Sequence, residues 1–217
     1  FSDYWNSKTQ SKAIVNYESV LENLAPEDYS AIFEQAYAYN RALYETDFPL
    51  TDYKKLSGYN ETLSITDNDM IGYLKIDCIG VELPIYHGTS EDVLNRGVGH
   101  LEGSSLPVGG ENTHTVLTAH SGMASQKMFS DLDRMKIGDV FYLDVLGERL
   151  AYQVDQTKTV LPYDTTFLQT EIGNDLCTLV TCTPFGVNTH RLLVRGTRIE
   201  YEEAEVIVEE KLETEAP

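Results

Sequence analysis

The sequence predicts a mainly β protein in which a closed or nearly closed β-barrel follows an N-terminal pair of helices. From residue 70 onward, short apolar runs separated by turn residues dominate, which is the pattern of a barrel built from short strands. Before them, apolar residues recur at helical spacing. The 217 residues are enough for one domain with a sizeable core and one appendage.

The N-terminal appendage is predicted to be a helical hairpin over residues 1–45. One apolar stripe at helical spacing contains Ile14, Tyr17, Leu21 and Leu24, and the second, after Pro26, contains Tyr29, Ile32, Phe33, Ala36, Tyr37 and Asn40. Stripes of this kind are more often packing surfaces than ligand grooves. Residues 46–58 have no clear period and carry Pro49 and Gly58, which predicts a loop between the hairpin and the barrel.

The barrel is predicted over residues 59–200. Its apolar runs lie at 71–76, 81–86, 115–119, 140–145, 150–154 and 176–182, and a last strand begins near Arg191. A short helix is expected at about 127–135. Residues 201–217 are so acidic that they predict a solvated helix or a disordered tail.

The composition excludes several classes of function. Sixteen Lys plus Arg against 35 Asp plus Glu give a formal charge of -19, which argues against nucleic acid or an anionic lipid surface as partner and favours a basic peptide. No run approaches the roughly 20 apolar residues of a membrane span. The cysteines at 78, 177 and 182 cannot all pair and lack the paired spacings of a zinc site, so neither a disulfide scaffold nor a metal cluster is indicated. No cofactor is expected.

The chemistry is expected where two strands meet. Cys182 ends the strand 176–182, whereas Cys177, five residues earlier, points to the opposite face of a regular strand. Arg191 begins the next strand beside Cys182, and Arg195 lies on the same face as Arg191. A thiol beside a guanidinium suits a nucleophile paired with a cation that stabilises charge on a carbonyl oxygen. Spacing alone leaves Arg195 open as that cation.

The base that a thiol nucleophile needs is predicted to be His120, which closes the strand 115–119. His87, His100 and His114 lie among turn or strand residues and are expected to be hydrogen-bonded structural groups. His190, next to Arg191, is ambiguous. Cys78 and Cys177 are expected to be core cysteines, because nothing beside them suggests activation.

Two segments resemble the sortases and, within them, the class C enzymes that assemble pili. These are residues 117–122, Leu-Thr-Ala-His-Ser-Gly, and residues 178–198, which contain Thr-Cys-Thr-Pro-Phe-Gly and Thr-His-Arg. The resemblance extends through residues 83–89, 97–110 and 129–139, and covers roughly residues 70–200. One departure is Ser121, where the family pattern has Arg.

The resemblance implies a sortase-like barrel and a cysteine transpeptidase without a cofactor. Cys182 would be the nucleophile, His120 the acid and base, and Arg191 the residue that holds substrate. The substrates would be pilin subunits with an LPXTG-like sorting signal, cleaved between Thr and Gly, and an acceptor lysine on the next subunit. Such enzymes act on the extracellular face of the membrane of Gram-positive bacteria, so hydrophobic anchors are expected outside this sequence.

The resemblance also implies that residues 46–58 are a lid. In the family, the lid carries an Asp that approaches the catalytic Arg and an aromatic residue that covers the catalytic Cys. Asp47 and Phe48 match these roles, although Pro49 follows the aromatic residue here and stands between Asp and the aromatic in the family. A solvated connecting loop is the alternative.

Three other functions are consistent with the sequence. A housekeeping sortase would attach proteins to the cell wall, and a cysteine peptidase would end the cycle with water. In a non-catalytic β-barrel binding module, Cys182 would be structural. The helical hairpin and the lid favour pilus assembly.

Overall fold

The computed structural model describes residues 2–121 and 127–215, and side chains within 6–121 and 127–211. Gly122, in the motif after His120, and residues 216–217 of the acidic segment lie outside these ranges. The helices are α1 Ser2–Leu21, α2 Pro26–Tyr44, α3 Pro49–Asp52, α4 Glu91–Leu94 and α5 Tyr201–Glu215. The strands are β1 Met70–Ile76, β2 Val81–His87, β3 Val98–His100, β4 Thr113–Thr118, β5 Val140–Val145, β6 Glu148–Val160, β7 Asp175–Thr183 and β8 His190–Ile199.

In the described ranges, eight strands form a closed barrel in the order β1-β2-β3-β4-β7-β8-β6-β5. The predicted fold class is therefore confirmed. The pairs β2–β3 and β4–β7 are parallel, and the other neighbours are antiparallel. The strands that carry the candidate site, β4, β7 and β8, are consecutive in the barrel, which brings their ends to one place.

The helical hairpin is fixed to the barrel by buried polar contacts. The Tyr17 hydroxyl donates to the Ile71 carbonyl at 3.2 Å and accepts from the Leu146 amide at 2.9 Å. On α2, the Asn40 side chain donates to the Leu106 carbonyl at 3.1 Å and accepts from the Leu106 amide at 2.7 Å. Because these groups are buried, losing either contact would leave polar atoms unsatisfied. The apolar stripes of the hairpin pack against the same core as the barrel.

Several elements differ from the sequence prediction. The expected loop 46–58 contains α3 and a 3₁₀ turn, Tyr53–Lys55, because Pro49 suits a first helical position and the Asp52 carboxylate accepts from the Phe48 amide at 3.3 Å. The helix expected near 127–135 is a turn and a 3₁₀ helix, Leu132–Arg134. The sequence prediction missed β3 and α4.

The acidic C-terminal segment is a helix over its described part, α5. Ala204 is buried with Val140 and Tyr142 on the outside of the barrel. Lys211 forms an ion pair with Asp139, which ties the helix to the turn before β5. Of the two alternatives for this segment, the helix is therefore correct as far as residue 215. No helix in the described ranges has the length and apolar character needed to cross a bilayer.

Candidate active site

His120 and Cys182 lie side by side at the ends of two parallel strands. β4 and β7 pair up to Thr118 and Val180, and the next amide, from Ala119, donates to the Val180 carbonyl at 3.2 Å. The Thr181 hydroxyl donates to the Ala119 carbonyl at 2.8 Å. The chain after β4 therefore continues along β7, and His120 is level with Cys182.

Ser121 strengthens this alignment. Its hydroxyl donates to the carbonyl of Cys182 at 2.8 Å. The residue that departs from the family pattern thus ties the segment carrying His120 to the strand end carrying Cys182.

Arg191 lies on the other side of Cys182. The two residues are directly opposite each other in the antiparallel β7–β8 pair. The Arg191 guanidinium donates to the carbonyls of His190 at 3.0 Å and Asn188 at 3.3 Å, and it has no carboxylate partner among the described residues. Its positive charge is therefore available to a bound carbonyl.

Arg195, the alternative cation, is already paired with two carboxylates. Its Nε and Nη2 atoms donate to the two oxygens of Asp155 at 3.0 and 2.8 Å, and its Nη1 atom donates to Glu171 at 2.6 Å. A guanidinium held by two carboxylates offers little positive charge to a substrate. These contacts favour Arg191 over Arg195 as the functional arginine.

The other two thiols are poor nucleophiles. Burial raises the pKa of the Cys177 thiol well above its usual range, and the nearby Asp175 carboxylate adds to the shift. Cys78 is exposed rather than a core residue, so that prediction is wrong; partial desolvation of its thiol, with the charge of Asp139, raises the pKa of Cys78 to about 11. Cys182 is partly exposed and unpaired at the end of β7.

Two of the remaining histidines, His100 and His114, are buried and hydrogen bonded within the fold. His100 is fully buried between the Tyr59 hydroxyl at 2.7 Å and the Ser105 carbonyl at 2.8 Å, and burial lowers the pKa of His100 to about 3. His114 bridges the Gln169 carbonyl and the Thr178 hydroxyl. The structural role is confirmed for both.

The hydrogen-bonding expectation stays open for His87 and His190. The ring of His87 lies edge-on against Tyr59; burial lowers the pKa of His87, and the neighbouring backbone groups of Thr62 and Tyr59 oppose that shift. His190 is within hydrogen-bonding distance of the Thr189 hydroxyl, with 2.9 Å between Nδ1 and Oγ1.

An apolar strip leads to the three candidate residues on the outer face of the barrel. Val116, Val180 and Leu193 form a buried cluster with Val160, and each of the three shares a strand face with His120, Cys182 or Arg191 respectively. Leu101, Phe167 and Leu168 pack against its sides. All four members of the buried cluster are at most 9% exposed, so the cluster supports the site from below and is not an open groove.

The site as a whole combines a thiol, an imidazole and a guanidinium that has no carboxylate partner among the described residues, next to a buried apolar cluster. The family model for the sortase domain matches residues 74–199, which is more than half of the chain. The chain belongs to the sortase family. The resemblance noted from the sequence is therefore confirmed.

Similar sortases are found among curated proteins and solved structures. Sortase D of Bacillus subtilis is 32% identical over 131 residues, which are 59% of this chain and 63% of that protein. The chain spans less than two thirds of the length of the curated relatives it matches. The structure of sortase C from Streptococcus pneumoniae has 46% identity and a TM-score of 0.79 over 88% of this chain and 97% of that one. Sortase C from Clostridium perfringens, solved with the C-terminal cell wall sorting motif, has 43% identity and a TM-score of 0.77 over 88% and 99%.

The segment predicted to be a lid rests on the barrel of this sortase. Gly103 has a positive φ of 85°, and a Cβ there would lie 2.7 Å from the Leu50 Cα and 2.7 Å from the Pro49 carbonyl oxygen, so α3 packs directly on this glycine. Neighbouring Ser105 is hydrogen bonded to His114, six residues before His120. The Val116 amide donates to neighbouring Ser104, so α3 contacts the barrel beside the first half of β4, four to six residues before His120 and roughly 13 to 20 Å along the strand.

The structure does not bring the two lid residues to the site. Asp47 is exposed and forms no ion pair with Arg191, and Phe48 is 70% exposed, so it does not cover Cys182 in this arrangement. The role of Asp47 and Phe48 in closing the site stays a prediction.

The lid hypothesis predicts that replacing both Asp47 and Phe48 by alanine speeds the modification of Cys182 by a small thiol reagent several-fold. An exposed ion pair contributes about 0 to 1 kcal/mol and burial of an aromatic ring at a loop about 1 to 2 kcal/mol, so closure would be weak and the melting temperature should change little. Labelling of Cys182 followed by peptide mass spectrometry measures the rate. A double alanine variant of Lys54 and Lys55 is the control, and an unchanged rate in the Asp47 and Phe48 variant would identify 46–58 as a connector.

Sequence reasoning missed one residue at this site. The Glu91 side chain, at the start of α4, places its Oε1 atom 3.7 Å from Nε2 of His120. Ser90 followed by Glu91 and Asp92 signals a helix start, and the Ser90 hydroxyl accepts from the Val93 amide. Nothing in that local pattern connects it with a histidine 29 positions later.

Proposed function

We propose that this chain is a class C sortase, a cysteine transpeptidase that joins pilin subunits. Its solved neighbours support the class: the Streptococcus pneumoniae enzyme is described with pilin substrate specificity, and the Clostridium perfringens enzyme was solved with a sorting motif. The observation that carries the proposal is the placement of Cys182 between His120 and Arg191 on three neighbouring strands, at the end of an apolar strip.

The first half of the reaction forms a thioacyl enzyme. An LPXTG-like sorting signal binds beside Cys182, and the Cys182 thiolate attacks the carbonyl carbon of its Thr. Arg191 donates hydrogen bonds to the oxyanion that develops. As the Thr–Gly bond breaks, His120 gives a proton to the leaving amine of Gly. The C-terminal piece leaves, and the Thr acyl group remains on sulfur.

The second half transfers the acyl group to another subunit. The side-chain amine of a lysine attacks the thioester carbon, and His120 takes the proton that the amine loses. The carbon–sulfur bond breaks, Cys182 leaves as a thiolate, and a Thr-to-Lys isopeptide bond joins the two pilins. The formal charge of -19 favours the approach of a basic acceptor segment. We place the enzyme on the extracellular face of a Gram-positive membrane, held by anchors outside this sequence.

The product distinguishes this proposal from its rivals. Purified pilin subunits incubated with the protein are expected to give a covalent dimer whose cross-linked peptide, identified by mass spectrometry, contains Thr joined to Lys Nε. Water-terminated product alone would indicate a peptidase, and transfer only to a cell-wall amine would indicate a housekeeping sortase. Subunits left unchanged would support a non-catalytic binding module.

A further inference from the structure

His120 has one ring nitrogen whose partner the proposed reaction does not explain. Its Nε2 atom is shielded from solvent, and among the described residues it makes no hydrogen bond. The nearest carboxylate oxygen is Oε1 of Glu91, 3.7 Å away, an ion pair only when His120 is protonated. A buried polar atom without a partner is costly, and more so when it carries charge. The geometry therefore singles out Glu91 as the group that can satisfy this nitrogen.

The fold holds Glu91 at this position. β3 pairs with β4 so that Gly99 is opposite Thr118, two residues before His120. Gly99 lacks a side chain, and a Cβ there would lie 3.0 Å from Leu94 and 3.3 Å from Val93, so α4 packs directly against β3. The start of α4, with Glu91, is thereby brought beside the end of β4. Glu91 flanks His120 on the β3 side, and Cys182 flanks it on the β7 side.

We propose that Glu91 is a positioning residue that acts through His120, so that Cys182, His120 and Glu91 form a triad in which only Cys182 and His120 exchange protons. The inference rests on the proposed function, because it assigns a proton-transfer role to His120. When His120 accepts a proton, both ring nitrogens carry hydrogen, and the Nε2–H group donates to the Glu91 carboxylate. Glu91 is 77% exposed, so its side chain has the freedom to move from 3.7 Å to the roughly 2.8 Å of a charge-assisted hydrogen bond.

This pairing orients the ring as well as stabilising its charge. With Nε2 held by Glu91, Nδ1 is left for the proton exchanged with the Cys182 thiol, the leaving amine and the attacking amine. Only the proton on Nδ1 moves in the proposed reaction, while the proton on Nε2 stays on the ring and Glu91 takes none. Glu91 does not touch the substrate, so its removal should affect turnover and leave substrate binding nearly unchanged.

The first test is the kinetics of Glu91→Gln, which keeps the side chain's size and removes its charge. With an LPXTG-like peptide as substrate, kcat should fall about tenfold, the loss expected for one hydrogen bond to a charged group, while KM stays within about twofold. The matched control is Asp92→Asn, which removes the same charge from the next position of α4 and should keep full activity. Equal losses in the two variants would mean that only the charge of the helix start matters and would overturn the proposal.

A double-mutant cycle then separates an effect through His120 from a general structural effect. The measured quantity is the rate at which iodoacetamide alkylates Cys182, followed by peptide mass spectrometry. Glu91→Gln should slow alkylation of Cys182 several-fold in the wild-type background and should have no further effect in His120→Ala. The same slowing in both backgrounds, or none in either, would overturn the proposal.

The alkylation cycle also keeps this inference separate from the proposed function. If the wild-type protein cleaves no sorting peptide although Cys182 alkylation depends on both His120 and Glu91, the transpeptidase proposal fails and the role of Glu91 stands. If cleavage occurs with full kcat in Glu91→Gln, the transpeptidase proposal stands and the role of Glu91 fails.

Discussion

Cys182→Ala is expected to abolish both cleavage of the sorting signal and joining of subunits, with the fold intact. The thiol supplies the bond to the acyl group, and no neighbouring group among the described residues replaces it, so the loss should exceed about 10³-fold. Cys182 is only partly buried at a strand end, so its truncation removes little packing. Subunit joining followed by gel electrophoresis and mass spectrometry, with thermal unfolding of the same sample, measures both quantities.

The other two cysteines provide matched controls. Cys78→Ala changes an exposed thiol and should keep full activity and stability. Cys177 is fully buried and faces Gly196 across β7 and β8, so Cys177→Ala should lower the free energy of unfolding by about 1 kcal/mol while the folded enzyme keeps its activity. Joining that persisted in pure Cys182→Ala protein would remove the central claim.

The parts of the site that the sequence predicted are those that a strand period determines. The run 176–182 and the segment after His190 each have a clear apolar pattern, and the short loop between them makes an antiparallel pair. That pairing places Arg191 opposite Cys182 whatever the rest of the barrel does. The position of His120 at a strand end is predicted in the same way, because an apolar run ends directly before it. Strand ends are therefore predicted well where the strands are regular.

The parts that the sequence missed lack such a period. β3 has three residues, Val98–His100, and the glycine in its middle offers no alternation. The sequence predicts that β6 ends near Val154, but the strand continues to Val160. A bulge between Val154 and Gln156 shifts the alternation of side chains, so the apolar pattern does not reveal the second half of the strand.

Contacts between distant elements are the second limit. Glu91 meets His120 only because Gly99 lets α4 approach β3, and α3 meets the barrel only because Gly103 admits it. Contacts between distant elements also decide which of Arg191 and Arg195 is free to act on a substrate. Both lie on one face of β8, and Asp155 and Glu171, which occupy Arg195, belong to β6 and to the segment before β7.

Arg191→Lys is expected to lower kcat by about 100-fold, with little change in stability. A guanidinium donates through several N–H groups in a fixed plane, so it can hold two acceptor oxygens of the substrate, whereas an ammonium is a compact point charge. Removing one well-placed donor to an oxyanion typically costs 10²- to 10³-fold in turnover, roughly 3 to 4 kcal/mol. The contacts that Arg191 makes in the folded protein are with the carbonyls of Asn188 and His190, so the melting temperature should stay nearly constant.

Arg195→Lys is the matched control, because it makes the same substitution four residues further along the same face of β8. It shows whether the loss depends on the position of the arginine or only on replacing any arginine of this face. Lysine cannot reproduce the paired hydrogen bonds to Asp155 or hold Glu171 at the same time, so this variant should lose stability and keep most of its turnover. Thermal unfolding and steady-state cleavage of a sorting peptide measure the two effects. Near-normal turnover in Arg191→Lys, together with a large loss in Arg195→Lys, would transfer the catalytic role to Arg195 and show that its two carboxylates release it when substrate binds.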